Sequence, residues 1–190
     1  MAVAEAQLVE TDGGLEPEAA GWFVVNVAGA TWWRNDAFGA GCMFEANEDE
    51  KRHKTNVADA RSRDNGMNIH VVWPGRPNCT YHGEDSQEDF LVVHGECPLL
   101  VEDRERPLKA WDFVHFPSWT EPVIVGAGEG PCAILIVGTR TKQGVVYPVS
   151  EVASRHGAGV EEETRLPRDA YARFPDWQRA RLEDVGLPWQ

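Results

Sequence analysis

The chain has 190 residues, 42% of them hydrophobic, with a formal net charge of −13 at pH 7 and a pI of about 4.8. This length and apolar content suit one domain with a sizeable core. The acidity, with no cluster of Lys or Arg, excludes nucleic acid and acidic membranes as partners, since both are bound by neutralising phosphates, and no segment approaches the roughly 18 apolar residues of a membrane span.

In chain order, residues 1–20 are acidic and rich in Gly and Ala, which predicts a loose arm. The first strand is expected at 22–27, and a second apolar stretch covers 37–45. Residues 46–65 change abruptly to Glu, Asp, Lys, Arg, Asn and His, the composition of an exposed charged insertion. Short β-type runs then follow at 67–73, 78–82, 89–94, 99–102, 113–116, 123–125 and 133–138, separated by Gly, Pro and charged turns. Many short strands with turn signals between them predict an antiparallel sandwich or barrel. Residues 102–106 read as a charged hairpin tip, 150–156 as a short helix closed by Gly157, and 168–185 as a helical tail interrupted by Pro175. The organisation expected is an arm (1–20), a barrel (21–148) carrying the 46–65 insertion, and a helical tail (149–190).

Cys42, Cys79, Cys97 and Cys132 are scattered with no Cys-x-x-Cys pair, and are expected as small buried hydrophobes. The N-terminus has neither a basic nor an apolar targeting region, so the expectation is a cytoplasmic protein with reduced thiols. Trp22, Trp32 and Trp33 are read as lining an exposed edge strand, which makes a homodimer the expected assembly.

The run from Gly75 to Gly95 carries the chemistry. His82 and Glu84 are two apart, so on a strand they point the same way, and Glu88 lies a turn further on. Three ligand-type side chains thus converge, and no fourth is evident. Two carboxyls in one small cavity repel each other, which raises the pKa of one and suits it to general acid or base work beside His82. The alternative is a polar remnant in which the three bond to one another and to Tyr81 or Thr80. His70 and His94 read as ordinary sheet histidines, His53 as part of the insertion, and His156 as a helix-end cation.

This pattern resembles the first signature of the cupin superfamily: Gly, five residues, His-x-His, three or four residues, Glu, six residues, Gly. Glu88 and Gly95 keep that spacing, Gly75 sits near its place, and His82 and Glu84 stand at the two histidine positions. The second signature is matched at its start by residues 110–117, which include Asp112 and Pro117. Aligned on Pro117, Trp119 stands at its Gly, Pro122 at its metal-binding His and Gly126 at its Asn. The resemblance implies an all-β fold, a cupin-like antiparallel β-barrel of jelly-roll or double-stranded β-helix type, with short C-terminal helices.

The resemblance also implies a divalent metal (Mn, Fe, Ni or Zn) held by His82, Glu84 and Glu88, weakly because proline cannot ligate, or no metal at all. As an enzyme it would be a metal-dependent dioxygenase, isomerase or lyase acting on a small metabolite, with Glu84 as third ligand or base. As a non-catalytic protein it would bind a small molecule, or serve as structure, without metal. The pocket is expected to include Tyr81, Trp119 as a lid or stacking wall, Glu121 and Pro122. Two stand-ins for the lost ligand are Glu121, which strand alternation aims outward, and His115, which shares a face with Pro117. Trp73 and Trp111 are expected in the core or at an interface.

Overall fold

Short alternating runs with a Gly, Pro or charged turn after each leave the backbone little choice but antiparallel ladders. The computed structural model describes residues 2–44, 64–139 and 144–185. Its strands in chain order are β1 (Leu8–Thr11), β2 (Gly14–Pro17), β3 (Trp32–Asn35), β4 (Gly39–Met43), β5 (Asn65–Val72), β6 (Gly83–Glu84), β7 (Glu88–His94), β8 (Glu96–Val101), β9 (Arg104–Lys109), β10 (Phe113–Phe116), β11 (Pro122–Ile124), β12 (Cys132–Thr139), β13 (Val145–Val146) and β14 (Gln178–Ala180). Three short helices accompany them: α1 (Glu151–Arg155), α2 (Pro167–Ala170) and α3 (Leu182–Val185).

The large sheet runs β10-β7-β12-β5-β4-β3-β14, a smaller one runs β11-β8-β9, and β13-β6 and β1-β2 form two further pairs, every ladder antiparallel. Alternation sorts the core into layers. Val72, Phe90, Val92, Ile134 and Ile136 of the large sheet meet Leu99, Leu108 and Ile124 of the small one in an inner core. The intervening residues Val71 and Ala133 face outward, where Trp32, Ala180 and Leu182 cover them. Behind the small sheet, Leu100, Val123 and Val125 pack against Tyr81 and against Ala153 of α1. Interdigitated sheets closed on one inner core make the all-β antiparallel barrel expected from the sequence.

The β8–β9 turn is the expected charged hairpin tip, and Glu102 and Asp103 both take left-handed φ angles (49° and 56°), as a two-residue hairpin turn requires. Helix α1 also begins as expected, with Ser150 capping the N–H of Ala153 and Gly157 following in the left-handed conformation.

Other expectations are overturned. Within the arm, β1 and β2 pair as a hairpin, and Glu16 is buried against Arg179 at 3.5 Å. Residues 22–27 alternate exposed and half-buried side chains yet join no ladder; Val25 and Val27 pack on the outer core, and the Trp32 indole bonds to the Val27 carbonyl. Period-2 patterning selects an extended chain but does not supply a partner edge. The 78–82 run is irregular because the Asn78 side chain takes the Ile124 N–H, while the Asn78 N–H goes to the Ile124 carbonyl. Residues 104–106, expected in the hairpin tip, instead begin strand β9, which runs to Lys109 at the edge of the small sheet.

In the tail, residues 178–180 form strand β14 on β3 rather than continuing a helix. That pairing removes the proposed dimer edge: Trp32 and Trp33 are buried within their own chain, and only Trp22 of the three is exposed. Trp111 does not lie in the core of this chain, where it is 77% exposed. The 46–65 insertion as far as residue 63, and His53 with it, lies outside the described residues.

Candidate functional site

Phe90 and Val92 point into the inner core, so Glu88, two residues before Phe90 on β7, points into the barrel as well. Opposite it Gly138 leaves the room: a Cβ there would stand 3.3 Å from the Glu88 Cγ. On β11, Ile124 lies in the inner core and Val123 in the layer behind, so Pro122 shares the inward face of Ile124, the face on which the family's histidine is expected.

Strand β6 carries Glu84 and pairs with β13, while the Trp119 N–H donates to the Glu84 carbonyl at 2.7 Å. His82 precedes that strand. Its Nδ1 lies 2.7 Å from the Thr80 carbonyl, which can only accept, so Nδ1 carries the proton and Nε2 presents a lone pair. The Tyr147 ring flanks the imidazole at 5.4 Å between centroids.

Cys79 joins this group, with its Sγ 3.8 Å from His82 Nδ1. Because that nitrogen is protonated it cannot take the thiol proton, and burial followed by the Glu88 and Glu84 charges pushes the thiol pKa up. The pair is therefore not arranged as a Cys–His nucleophile. The Glu88 carboxyl is pushed up to about 8, first by burial and then by the Glu84 charge. At neutral pH, therefore, Glu88 mostly holds a proton next to Glu84. His82, Glu84, Glu88 and Cys79 are each only half-buried, so solvent reaches the group.

Other expected residues lie elsewhere. Tyr81 and Glu121 meet through a side-chain hydrogen bond, but Tyr81 belongs to the layer behind the small sheet. Burial pushes the Tyr81 phenol up to about 12, and burial together with Glu102 raises Glu121. His115 faces outward, its Nδ1 2.7 Å from Asp89. Neither Glu121 nor His115 replaces the lost ligand. Trp119 sits over β6 by its backbone, with its side chain 44% exposed. His94 is exposed, and His156 meets Glu105 at 3.2 Å. Half-buried His70, by contrast, faces the barrel interior two residues before Val72, with its Nδ1 unpaired and its pKa lowered to about 4 by desolvation.

The donor set does not fit a metal as it stands. Among the described residues no three His, Cys, Asp or Glu side chains are grouped to hold an ion. Pro122, whose side chain cannot ligate, occupies the fourth inward position.

One backbone feature ties the second signature to this geometry. Trp111, just before Asp112, and Trp119, two residues after Pro117, stand where that signature has glycines, and both keep a left-handed φ (74° and 68°). The chain is an antiparallel β-barrel that resembles the cupin type at these signature positions. Among solved structures similar to it are a cupin 2 domain-containing protein from Halorhodospira halophila (16% identity, 65% of this chain and 79% of that one, TM-score 0.48) and a cupin 2 conserved barrel domain protein from Salinispora arenicola (17%, 65% and 87%, TM-score 0.44). A sugar phosphate isomerase from a cupin superfamily of Silicibacter pomeroyi is similar at 19% identity, over 68% of this chain and 74% of that one, with a TM-score of 0.41. No protein-family model and no curated protein matches the sequence. Likenesses this distant carry no argument, and the resemblance to the cupin type rests on strand order and on the signature positions.

Sequence reasoning missed Cys79 and Tyr147, while Thr80, named there as one of two bonding partners, meets His82 through its backbone carbonyl. Cys79 was visible three residues before His82, whereas nothing in the sequence joins Tyr147 to a residue 65 positions earlier.

Proposed function

We propose that this cupin-type protein binds a small, uncharged organic molecule bearing hydroxyl or carbonyl groups at the His82–Glu84–Glu88 cluster, and that the cluster exchanges protons with it without a resident metal. The observation that carries this reading is Glu88, half-buried on the inward face beside the charge of Glu84. In its protonated form Glu88 donates to a ligand oxygen, while Glu84 and His82 Nε2 accept from ligand hydroxyls. A carboxyl that titrates near neutrality is matched to general acid or base work. An anionic ligand would meet the repulsion of Glu84.

A metal-dependent reading, with His82, Glu84 and Glu88 as ligands, keeps one observation in its favour: a histidine held through Nδ1–H to a backbone carbonyl is oriented as metal-binding histidines are. Equilibrium dialysis against Mn, Fe(II), Ni and Zn, followed by metal analysis, separates the two readings. Well below one equivalent bound is expected for the wild type, with a gain in Pro122→His. One equivalent that disappears in His82→Ala would establish the metal reading instead. The ligand class is tested by thermal shift with a panel of neutral polyols and hydroxyketones against organic acids. Stabilisation by a neutral compound that is lost in Glu88→Ala is expected, and a response confined to acids overturns the ligand class.

A further inference from the structure

Away from His82, a cavity of about 570 Å³ opens between the turn joining β3 to β4 and the segment that follows α2. Five aromatic side chains line it: Trp33, Phe38, Tyr171, Phe174 and Trp177. The Phe38 ring, 1% exposed at the base, packs 4.5 Å from Phe174, 5.5 Å from Tyr171 and 6.3 Å from Trp177. The two walls are tied together. Asn35, also buried, donates from Nδ2 to the Pro175 carbonyl at 2.7 Å and accepts the Ala37 N–H at 2.9 Å. The cavity's volume suits a small organic molecule.

The charges around it are already matched. Arg179 lies over the Trp33 ring at 5.5 Å and pairs with Asp12 (2.9 Å) and Glu16 (3.5 Å). Arg168 meets Asp169 at 3.3 Å, and Asp176 also lines the opening. A cationic guest would meet the two guanidiniums, and an anionic guest the carboxylates that pair with them. What is left on offer is ring surface, which favours a flat π-system through stacked and edge contacts beyond simple area burial.

We infer that this cavity is a second binding site, separate from the His82 cluster, for a small, planar, uncharged aromatic molecule. Tyr171 is the wall the two sites share. Its ring meets Phe38 on one side and Tyr147 on the other (5.8 Å), and its hydroxyl accepts the Thr80 N–H at 3.3 Å, while the Thr80 carbonyl holds His82.

The test is titration of the full chain with 2-naphthol, read by the probe's own fluorescence, with 2-naphthoate and benzyltrimethylammonium as charged counterparts. Saturable 2-naphthol binding is expected, weakened by about tenfold in Trp177→Ala, blocked in Ala172→Trp, which fills the cavity from its lining, and retained in His82→Ala. Both cavity variants are checked for native circular dichroism. Absence of saturable binding, unchanged affinity in the two folded cavity variants, or tighter binding of either charged counterpart overturns the inference.

Discussion

Strand β7 carries both characters of the barrel interior on one face. At its middle, Phe90 and Val92 are sealed into the inner core with Ile134 and Leu99; at its start, Glu88 looks the same way into a cluster of Glu84, His82 and Cys79. Alternation decides which way a side chain points, while its neighbours decide what that costs. The apolar end gains from every contact. The polar end keeps a carboxyl half-buried beside a charge, at a cost in stability, and thereby obtains a group that titrates near neutral pH.

The comparison breaks first at its apolar end. Ile134 is fully buried, so Ile134→Ala is expected to lower unfolding free energy by about 3 kcal/mol in urea titrations, cavity included. A loss under about 1 kcal/mol would mean the inner core is not close-packed. At the polar end, folding raises the Glu88 pKa from its ordinary 4.5 to about 8, so the folded state binds the proton more tightly than the unfolded chain. Stability should therefore fall as pH rises through that interval, by an amount on the order of 3 kcal/mol. Glu88→Gln should flatten that slope and be the more stable protein at the alkaline end; an unchanged slope would remove Glu88 as its source.

His70 sharpens the contrast with the opposite sign. Desolvation lowers its pKa from 6.5 to about 4, so the unfolded chain takes up the proton first, and stability should drop as pH falls through that interval, on the order of 2 kcal/mol. Urea titrations of wild type and His70→Leu at the two ends of the interval check this; equal pH dependence would show that His70 is not the cause. The smallest effect belongs to the signature position that frames the polar end. Trp119 holds a left-handed φ of 68° with its ring 44% exposed, so Trp119→Gly should relieve strain and shift stability upward by up to about 1 kcal/mol, read as a rise in Tm. A fall in Tm would mean that the ring's contacts outweigh the backbone.

Much of this was legible in the sequence because strand patterning is local. The runs 67–73, 89–94, 113–116 and 133–138 recur as β5, β7, β10 and β12, nearly residue for residue, and the signature spacing picked out Glu88 and Pro122, which both face inward. What escaped had no local signal. Strand β9 is hidden by its charges, and β14 follows a proline in what reads as a helix. His70 reads as an ordinary sheet histidine until the large sheet turns it inward with Val72, and Cys79 reads as a core thiol until its neighbours are known. The five rings of the second cavity are drawn from stretches well over a hundred residues apart.

The sequence by itself determined the fold class, the hairpin tip at Glu102 and Asp103, the capped start of α1, and the absence of a histidine at position 122, since each depends on residue type and near-neighbour spacing. The tertiary structure decided the rest. Only long-range packing sets the distance from His82 to the Thr80 carbonyl, the burial that lifts Glu88, the outward turn of Glu121 and His115, and the return of the tail onto β3 that buries Trp33. Burial and electrostatic coupling are properties of the assembled neighbourhood, and no window along the chain contains them.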